Sequence, residues 1–570
     1  MQLHAWEIDS GNLRQLTNLP AGVVEGMISA DGEYAYYLHD DGGNEIGHFV
    51  RIPFAGGPPE DVTPDLPPYS PVQISQSSNG SLTGAQVAEP DGHKFYLWAA
   101  GSKPRQLYKS QLPAFGQSIS CDGEIAVIAT MKSAESLDTQ LLAFDSESGE
   151  QVAELCDRKG VTNSVGKFSP IAGDFRMLST TNESGHVCPI IWNPVTGQRW
   201  DLCVDDIPGD VSPWAWSRDA RCVLLSQIYH ARQQLWLYHP GTDSLTKLRH
   251  PDGAFGDERG NAIFTDEDEI LVIWQDPIHP PRLIALDKGT GRETRTVLTA
   301  GEVPAGRPWS PITFISENGD TIFGWLAVPE GDGPFPTILH THGGPTTVIT
   351  NRYLAESQAW LDNGIAFCTI NYHGSTTFGE MFEKSIEGRL GELEVQDMAA
   401  ACRWLIQQNV ARADAVFLSG NSYGGYLTLQ ALGKRPELWA GGMAGVAIAD
   451  WVRLYSDQND LLRGVQKALF GGTPEELPEI YKESSPITHA EQIQAPILVI
   501  QGSNDTRCPA GQMQEYERKL NALDKHIDVH WFDAGHLTHD QEQQIAHQTL
   551  KIRFVRSVLE RSSADQADFQ

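Results

Sequence analysis

Through roughly the first three hundred residues, apolar and polar positions alternate in short runs broken by polar turns, the two-residue period of half-buried strands. Turn signals followed by alternating strands recur at Asp31-Gly32, Asn79-Gly80, Asp122-Gly123, Gly173-Asp174, Asp219-Ala220 and Glu267-Asp268. Positions 32, 80, 123, 174, 220 and 268 mark these turns, and successive marks fall 43 to 51 residues apart. A period in the forties with about four strands per unit is that of a β-propeller blade. Each unit continues into a second strand pair, as in Leu235 to Leu248 around Pro240-Gly241. This outer pair is rich in Trp and Leu, whereas the inner pair is joined by polar turns. Residues 3–17 match only an outer pair. The expectation is six whole blades and the outer half of another, about seven in all; a row of β-sandwiches is the alternative. The acidic clusters Asp40-Asp41 and Asp266 to Glu269 lack the ligand spacing of a calcium loop and read as solvated turns.

Near residue 300 the pattern changes. Ala300 to Pro308 is a Gly/Pro linker, after which apolar runs such as Thr337 to His340 and Ile365 to Ile370 alternate with helical periods at Tyr353 to Asn363 and Glu392 to Gln408. Strand and helix in alternation predict a mainly parallel, doubly wound sheet with helices on both faces, the α/β-hydrolase arrangement. The expected division is a propeller over 1–305, a catalytic domain over 306–560 and a disordered tail over 561–570.

The most informative stretch is Val416 to Tyr426, an apolar strand ending in Gly420-Asn421-Ser422-Tyr423-Gly424-Gly425 and followed at once by a helical pattern. A serine on so sharp a strand-to-helix turn projects its hydroxyl clear of the sheet, and small residues two before and two after let strand and helix pass closely. Ser422 is therefore the candidate nucleophile. A nucleophilic serine needs a base, and the base needs an orienting acid; in α/β-hydrolases these follow in the order Ser, acid, His, each in a loop after a strand. Pro496 to Gly502 is an apolar strand running into Ser503-Asn504-Asp505, and Ile527 to Phe532 is an alternating strand running into Gly535-His536. Asp505 is the candidate acid and His536 the candidate base. His539 competes for the second role but falls inside the next segment. Charge that develops on a carbonyl oxygen needs preset donors, and the loop His342-Gly343-Gly344-Pro345 follows an early strand where the fold places them. The backbone N–H groups of Tyr423 and of Gly344 or Gly343 are the expected oxyanion hole. His340 and His342 could suggest a metal pair, but no third ligand accompanies them, so no metal and no cofactor are expected.

Composition narrows the partners. With 42 Lys and Arg against 74 Asp and Glu, the net charge of -32 repels nucleic acid and anionic membranes. No apolar run reaches the length of a bilayer span, and Met1 to Glu7 has neither a basic start nor an apolar signal core. A cytoplasmic protein is expected, and the sequence is compatible with a homo-oligomer. The eight cysteines (121, 156, 188, 203, 222, 368, 402 and 508) include no C-x-x-C pair and read as small buried residues.

Propeller first and hydrolase second, with His342-Gly343-Gly344-Pro345, Asn371-Tyr372-x-Gly374-Ser375, Gly391, Asp397, the Ser422 elbow and Asp505-Thr506-Arg507-Cys508-Pro509, the chain resembles the prolyl oligopeptidase family of serine peptidases. It is most similar to the acylaminoacyl-peptidase branch. The resemblance implies a Ser422, Asp505 and His536 triad, with Arg507 helping to hold substrate. It implies too a propeller that covers the mouth and favours short peptides. His373 stands where the family often has Arg, and is the second candidate for a substrate contact. The propeller lacks a recognisable Glu-Glu pair for a free amino terminus, which speaks against a dipeptidyl-peptidase. The expected activity is hydrolysis of short or N-acylated peptides through an acyl-enzyme. An esterase, amidase or small-metabolite tailoring enzyme with the same triad is the first rival, and a non-catalytic propeller that binds partners is the second.

Overall fold

The computed structural model describes residues 1–8, 10–23, 25–202, 204, 206–256, 262–299, 301–538 and 540–568. Six antiparallel sheets occupy the first half of the chain in sequence order, beginning at Gly26, Ser70, Ala114, Asn163, Asp210 and Ala254. Five are four-stranded meanders, and the sixth carries Ala262–Phe264 as an extra strand on Glu269–Gln275. A separate two-stranded sheet pairs His4–Trp6 with Leu13–Gln15. Six blades and one half-blade are thus present, as the repeat predicts.

In the first five blades the repeated turns join the first and second strands, and in the sixth the turn joins the extra strand Ala262–Phe264 to Glu269–Gln275. Ala220 and Asp268 take the left-handed conformation there (φ 54° and 57°), where the other blades place a glycine. Consecutive blades share their cores. Phe95 and Leu97 of the second blade pack with Ile119, Ile128 and Phe144 of the third, and Leu224 and Leu235 of the fifth pack with Ile270 and Ile284 of the sixth. Leu3 and Leu16 of the half-blade cover Val23, Ala35 and Val50 of the first. Such nearest-neighbour burial is what lets a short sequence period, apolar on both strand faces, build a ring.

The second half folds around one eight-stranded sheet whose strands begin, in spatial order, at Ser310, Thr321, Ala366, Phe335, Ala411, Gly441, Ile497 and Ile527. Thr321–Ala327 is antiparallel to both neighbours, and the last six strands are parallel. The strands buried on both faces carry continuous apolar stretches, as in Ile338, Leu339, Phe417, Leu418, Leu498 and Val499. One apolar cluster, with Leu339, Leu418 and Met398, lies on one side, and a second, with Ile338, Phe417 and Val555, on the other. The closing helix runs from Gln541 through Asp568, into the segment expected as a disordered tail. Residues 561–568 contain no Gly or Pro to stop a helix, and residues 569–570 lie outside the described ones. Among the described residues, no helix is long and apolar enough to cross a membrane.

The domains meet at the rim opposite the repeated turns, where hairpins join the second and third strands of the blades. The first-blade hairpin between Asp40 and Gly47 reaches the hydrolase domain through Asn44 and Glu45, and that of the fifth blade through His230, Ala231 and Arg232. Asp138 of the third blade accepts from Lys384 Nζ at 2.8 Å, and Gly185 of the fourth accepts from the Glu380 N–H at 2.8 Å.

Candidate active site

Ser422 sits between the strand Ala411–Asn421 and the helix Tyr423–Lys434 with φ 57° and ψ -122°, a conformation that a non-glycine residue adopts only when its surroundings enforce it. The enforcement is visible. The Ser422 N–H donates to Gly445 O at 2.8 Å, and its own carbonyl accepts from the Tyr426 N–H at 2.9 Å. A Cβ on Gly420 would lie 2.4 Å from the Gly424 carbonyl, and one on Gly424 would lie 2.2 Å from Thr341 O. The small residues that flank the serine are therefore a packing requirement of the turn.

Asp505 and His536 arrive from the loops after the strands Ile497–Gly502 and Ile527–Phe532, as their spacing predicts. His536 Nδ1 lies 2.8 Å from Asp505 Oδ2, and both side chains are buried. The other carboxylate oxygen, Oδ1, accepts from the backbone N–H groups of Arg507 (2.9 Å) and Cys508 (2.8 Å). The acid is thus held by its own loop, and its other oxygen meets the imidazole and, at 3.4 Å, accepts from Gln501 Nε2. His539 lies outside the described residues.

Gly343 packs against the elbow, where an added Cβ would stand 3.0 Å from Asn421 O and 3.4 Å from Ser422 Cβ. That places Gly343 beside the candidate nucleophile. His342 is not free for chemistry: its Nε2 pairs with Ser375 Oγ at 2.9 Å, its ring stacks on Tyr372, and burial pushes its pKa down to about 4. Tyr372 donates its hydroxyl to His342 O at 2.8 Å, which fixes the loop entering Gly343. His340 packs against Phe367, and burial likewise lowers its pKa to about 4. Neither histidine belongs to a trio of metal-ligating groups among the described residues.

Beneath the elbow lies Glu394, fully buried in the helix Leu393–Gln407. Its carboxylate accepts from the Tyr423 hydroxyl at 2.6 Å and from the Gly391 N–H at 3.1 Å, and burial raises its pKa to about 7. A glutamate three residues before Asp397 on a predicted helix gives no hint of this in sequence, because the partner is the residue next to Ser422 and lies 29 positions on.

The two expected substrate contacts divide. Arg507 is at the site, but its Nε and one terminal nitrogen are held by Glu45 of the propeller at 2.6 and 2.8 Å. His373 is not placed to meet substrate. It is 2% exposed, its Nδ1 pairs with Asp397 at 2.8 Å and its Nε2 with Asp320 at 3.1 Å, and its ring stacks on Phe382. Burial alone would lower its pKa, but the two carboxylates outweigh it and hold the imidazole above its ordinary value. His373 thus serves the inside of the domain. Cys508 completes the surroundings. Its thiol is buried and is pushed well up by burial.

Comparison with known proteins shows what the chain is similar to. Residues 352–562 match the model of the prolyl oligopeptidase family. A dipeptidyl aminopeptidase BIII from Pseudoxanthomonas mexicana is 24% identical over 564 residues, spanning 94% of this chain and 80% of that protein. Acylamino-acid-releasing enzyme 1 from Oryza sativa is 25% identical over 398 residues, spanning 64% of this chain but only 49% of the relative. A puromycin-hydrolyzing peptidase of Mycobacterium tuberculosis superposes with a TM-score of 0.79 at 18% identity, covering 96% of this chain and 89% of that one.

Proposed function

The chain belongs to the prolyl oligopeptidase family of serine peptidases, and from that premise we propose that it hydrolyses short or N-acylated peptides with Ser422 as nucleophile, His536 as base and Asp505 as the acid that orients it. The observation that carries this reading is the buried 2.8 Å pair of His536 Nδ1 and Asp505 Oδ2 beside a serine held at φ 57°. His536 takes the Ser422 proton as the hydroxyl attacks the amide carbon, while Asp505 fixes the tautomer. The N–H groups of Tyr423 and of Gly344 or Gly343 receive the oxyanion. Collapse returns the proton to the leaving amine, and water then hydrolyses the acyl-enzyme by the same steps in reverse.

One observation favours a blocked amino terminus. The propeller carboxylate that pairs with the acid loop, Glu45, has both oxygens occupied by Arg507, so it is not held in reserve for a substrate ammonium. The remaining terminal nitrogen of Arg507 is the group available to a substrate carbonyl. The curated relatives carry names of both kinds, dipeptidyl aminopeptidase and acylamino-acid-releasing enzyme, so the substrate is tested directly. Acetylated and free amino-acid anilides, a proline anilide and a short-chain ester are assayed side by side. Faster turnover of acetylated amides supports the reading; preference for free amino termini, or ester turnover without amide cleavage, overturns it. Ser422→Ala abolishes turnover with the fold intact, and retained activity would exclude Ser422 as the nucleophile.

A further inference from the structure

The thiol of Cys508 is not needed by the acyl-transfer steps above, yet it lies among the groups that carry them. Its Sγ, a ring nitrogen of His536 and a carboxylate oxygen of Asp505 all lie within 4.8 Å of one another, and all three residues are buried. Among the described residues this is the one group of three His, Cys or carboxylate side chains arranged in this way. Cys121, Cys156, Cys188, Cys222, Cys368 and Cys402, the other described free cysteines, have no such company.

Sulfur, imidazole nitrogen and carboxylate oxygen in one dry pocket are the donor set of a thiophilic divalent cation. Tetrahedral bonds of about 2.0–2.3 Å hold ligand atoms about 3.5 Å apart, so the cluster needs to contract by about 1 Å. Asp505 and Cys508 share one loop and His536 stands on the next, so rotation of the Cys508 side chain and approach of the two loops supply that movement. We propose that Cys508, His536 and Asp505 form an inhibitory site for a thiophilic divalent cation such as zinc or cadmium, which silences the peptidase by taking the imidazole lone pair that would accept the Ser422 proton. On binding, the thiol proton is released to solvent, a sulfur–metal bond forms, and the cation's charge offsets the cost of a buried thiolate. No electron is transferred, and a chelator reverses the change.

This proposal rests on the triad reading, and the test separates the two. Cadmium is titrated into the full chain, following the ultraviolet charge-transfer band of a cadmium thiolate and the rate of peptide-anilide hydrolysis together. The expected result is one band and one inhibition curve with a common midpoint. In Cys508→Val, and in Cys508→Ala should valine disturb the loop, that band is lost and the inhibitory midpoint rises at least about tenfold, each rate being taken relative to the same variant without metal. Inhibition with an unchanged midpoint in both variants, or no inhibition of the parent protein by millimolar cadmium, would overturn the site. Failure of the triad reading looks different: Ser422→Ala would keep its turnover while the Cys508-dependent cadmium band persisted.

Discussion

The hairpins of the first and fifth blades occupy equivalent places in their meanders, and both reach the hydrolase domain, but they hold it by different physics. In the fifth, His230 is stacked between Tyr229 and Phe323, with ring centroids 3.8 and 4.3 Å apart. Ala231 is 1% exposed inside a hydrolase core cluster, and the Arg232 guanidinium lies 5.6 Å from the Trp325 ring. In the first, the side-chain contacts are Thr506 Oγ1 to Asn44 O and the two-pronged pair of Arg507 with Glu45, beside a close backbone approach of Gly43 to Gly535. The apolar contact falls on the strand Thr321–Ala327, second in the sheet; the ionic one falls on the loop after the seventh strand, which carries Asp505. The seam is thus fastened by burial at one edge of the sheet and by charge at the edge where the candidate acid and base sit. Burial is indifferent to salt and fixes the domains together, whereas a partly exposed ion pair is weak and adjustable.

Breaking each contact sharpens the difference. Ala231→Glu buries an unpaired charge and costs about 3 kcal/mol or more of stability, read as a lowered thermal midpoint; an unchanged midpoint would mean that the fifth-blade hairpin is not packed as described. Arg507→Ala costs only about 1 kcal/mol of stability but lowers kcat/KM about 10- to 100-fold, because the loop that positions Asp505 loses its tether to the propeller. A parallel fall in both quantities would erase the distinction between the two edges. Raising sodium chloride from about 0.05 to 0.5 M reduces kcat/KM of the parent protein and leaves that of a Glu45→Gln, Arg507→Gln double variant nearly level.

The smallest effect is on pH. Glu394 keeps its proton up to about 7 in the fold against 4.5 in the ordinary case, so the native state holds the extra proton between those values and stability declines as pH rises through them. His373 has the opposite charge and the same slope. Held above 6.5, its imidazolium contributes stability that is complete below that value and is lost as pH rises through the raised one. The thermal midpoint therefore falls by a few degrees from pH 6 to pH 8, and Glu394→Gln flattens part of that slope without changing its sign. A midpoint that rises over the same range would contradict both assignments.

The two rims of the propeller explain what could be read from sequence. Turns such as Asp31-Gly32 and Asp122-Gly123 recur because the first-to-second-strand connection does the same task in each blade, and repetition is what a sequence displays. The opposite rim meets a partner that is different at every blade, so Asn44 and Glu45, Gly185 and Ala231 share no pattern. The Asp40-Asp41 cluster, read as a solvated turn, opens the very hairpin that tethers Arg507, 462 residues away from Glu45. In the hydrolase domain the strand-end positions of Ser422, Asp505 and His536 were legible because the loops follow strands in a fixed order. Glu394 and the inward role of His373 were not, because their partners are set by helix-against-sheet packing rather than by spacing. His373 was misread as a substrate contact for that reason: its sequence position resembles that of an arginine, but its two carboxylate partners, Asp397 and Asp320, come from other elements.

One close approach sets a limit on modularity. A Cβ on Gly535 would stand 1.7 Å from Gly43 O, so the turn that delivers His536 is moulded on the backbone of a different domain. The propeller is then a piece of the mould as well as a cover. Transplanting this hydrolase domain beneath another ring, or expressing it alone, would remove the surface against which its histidine loop takes shape, and any exchange of domains would have to carry the first-blade hairpin along with it.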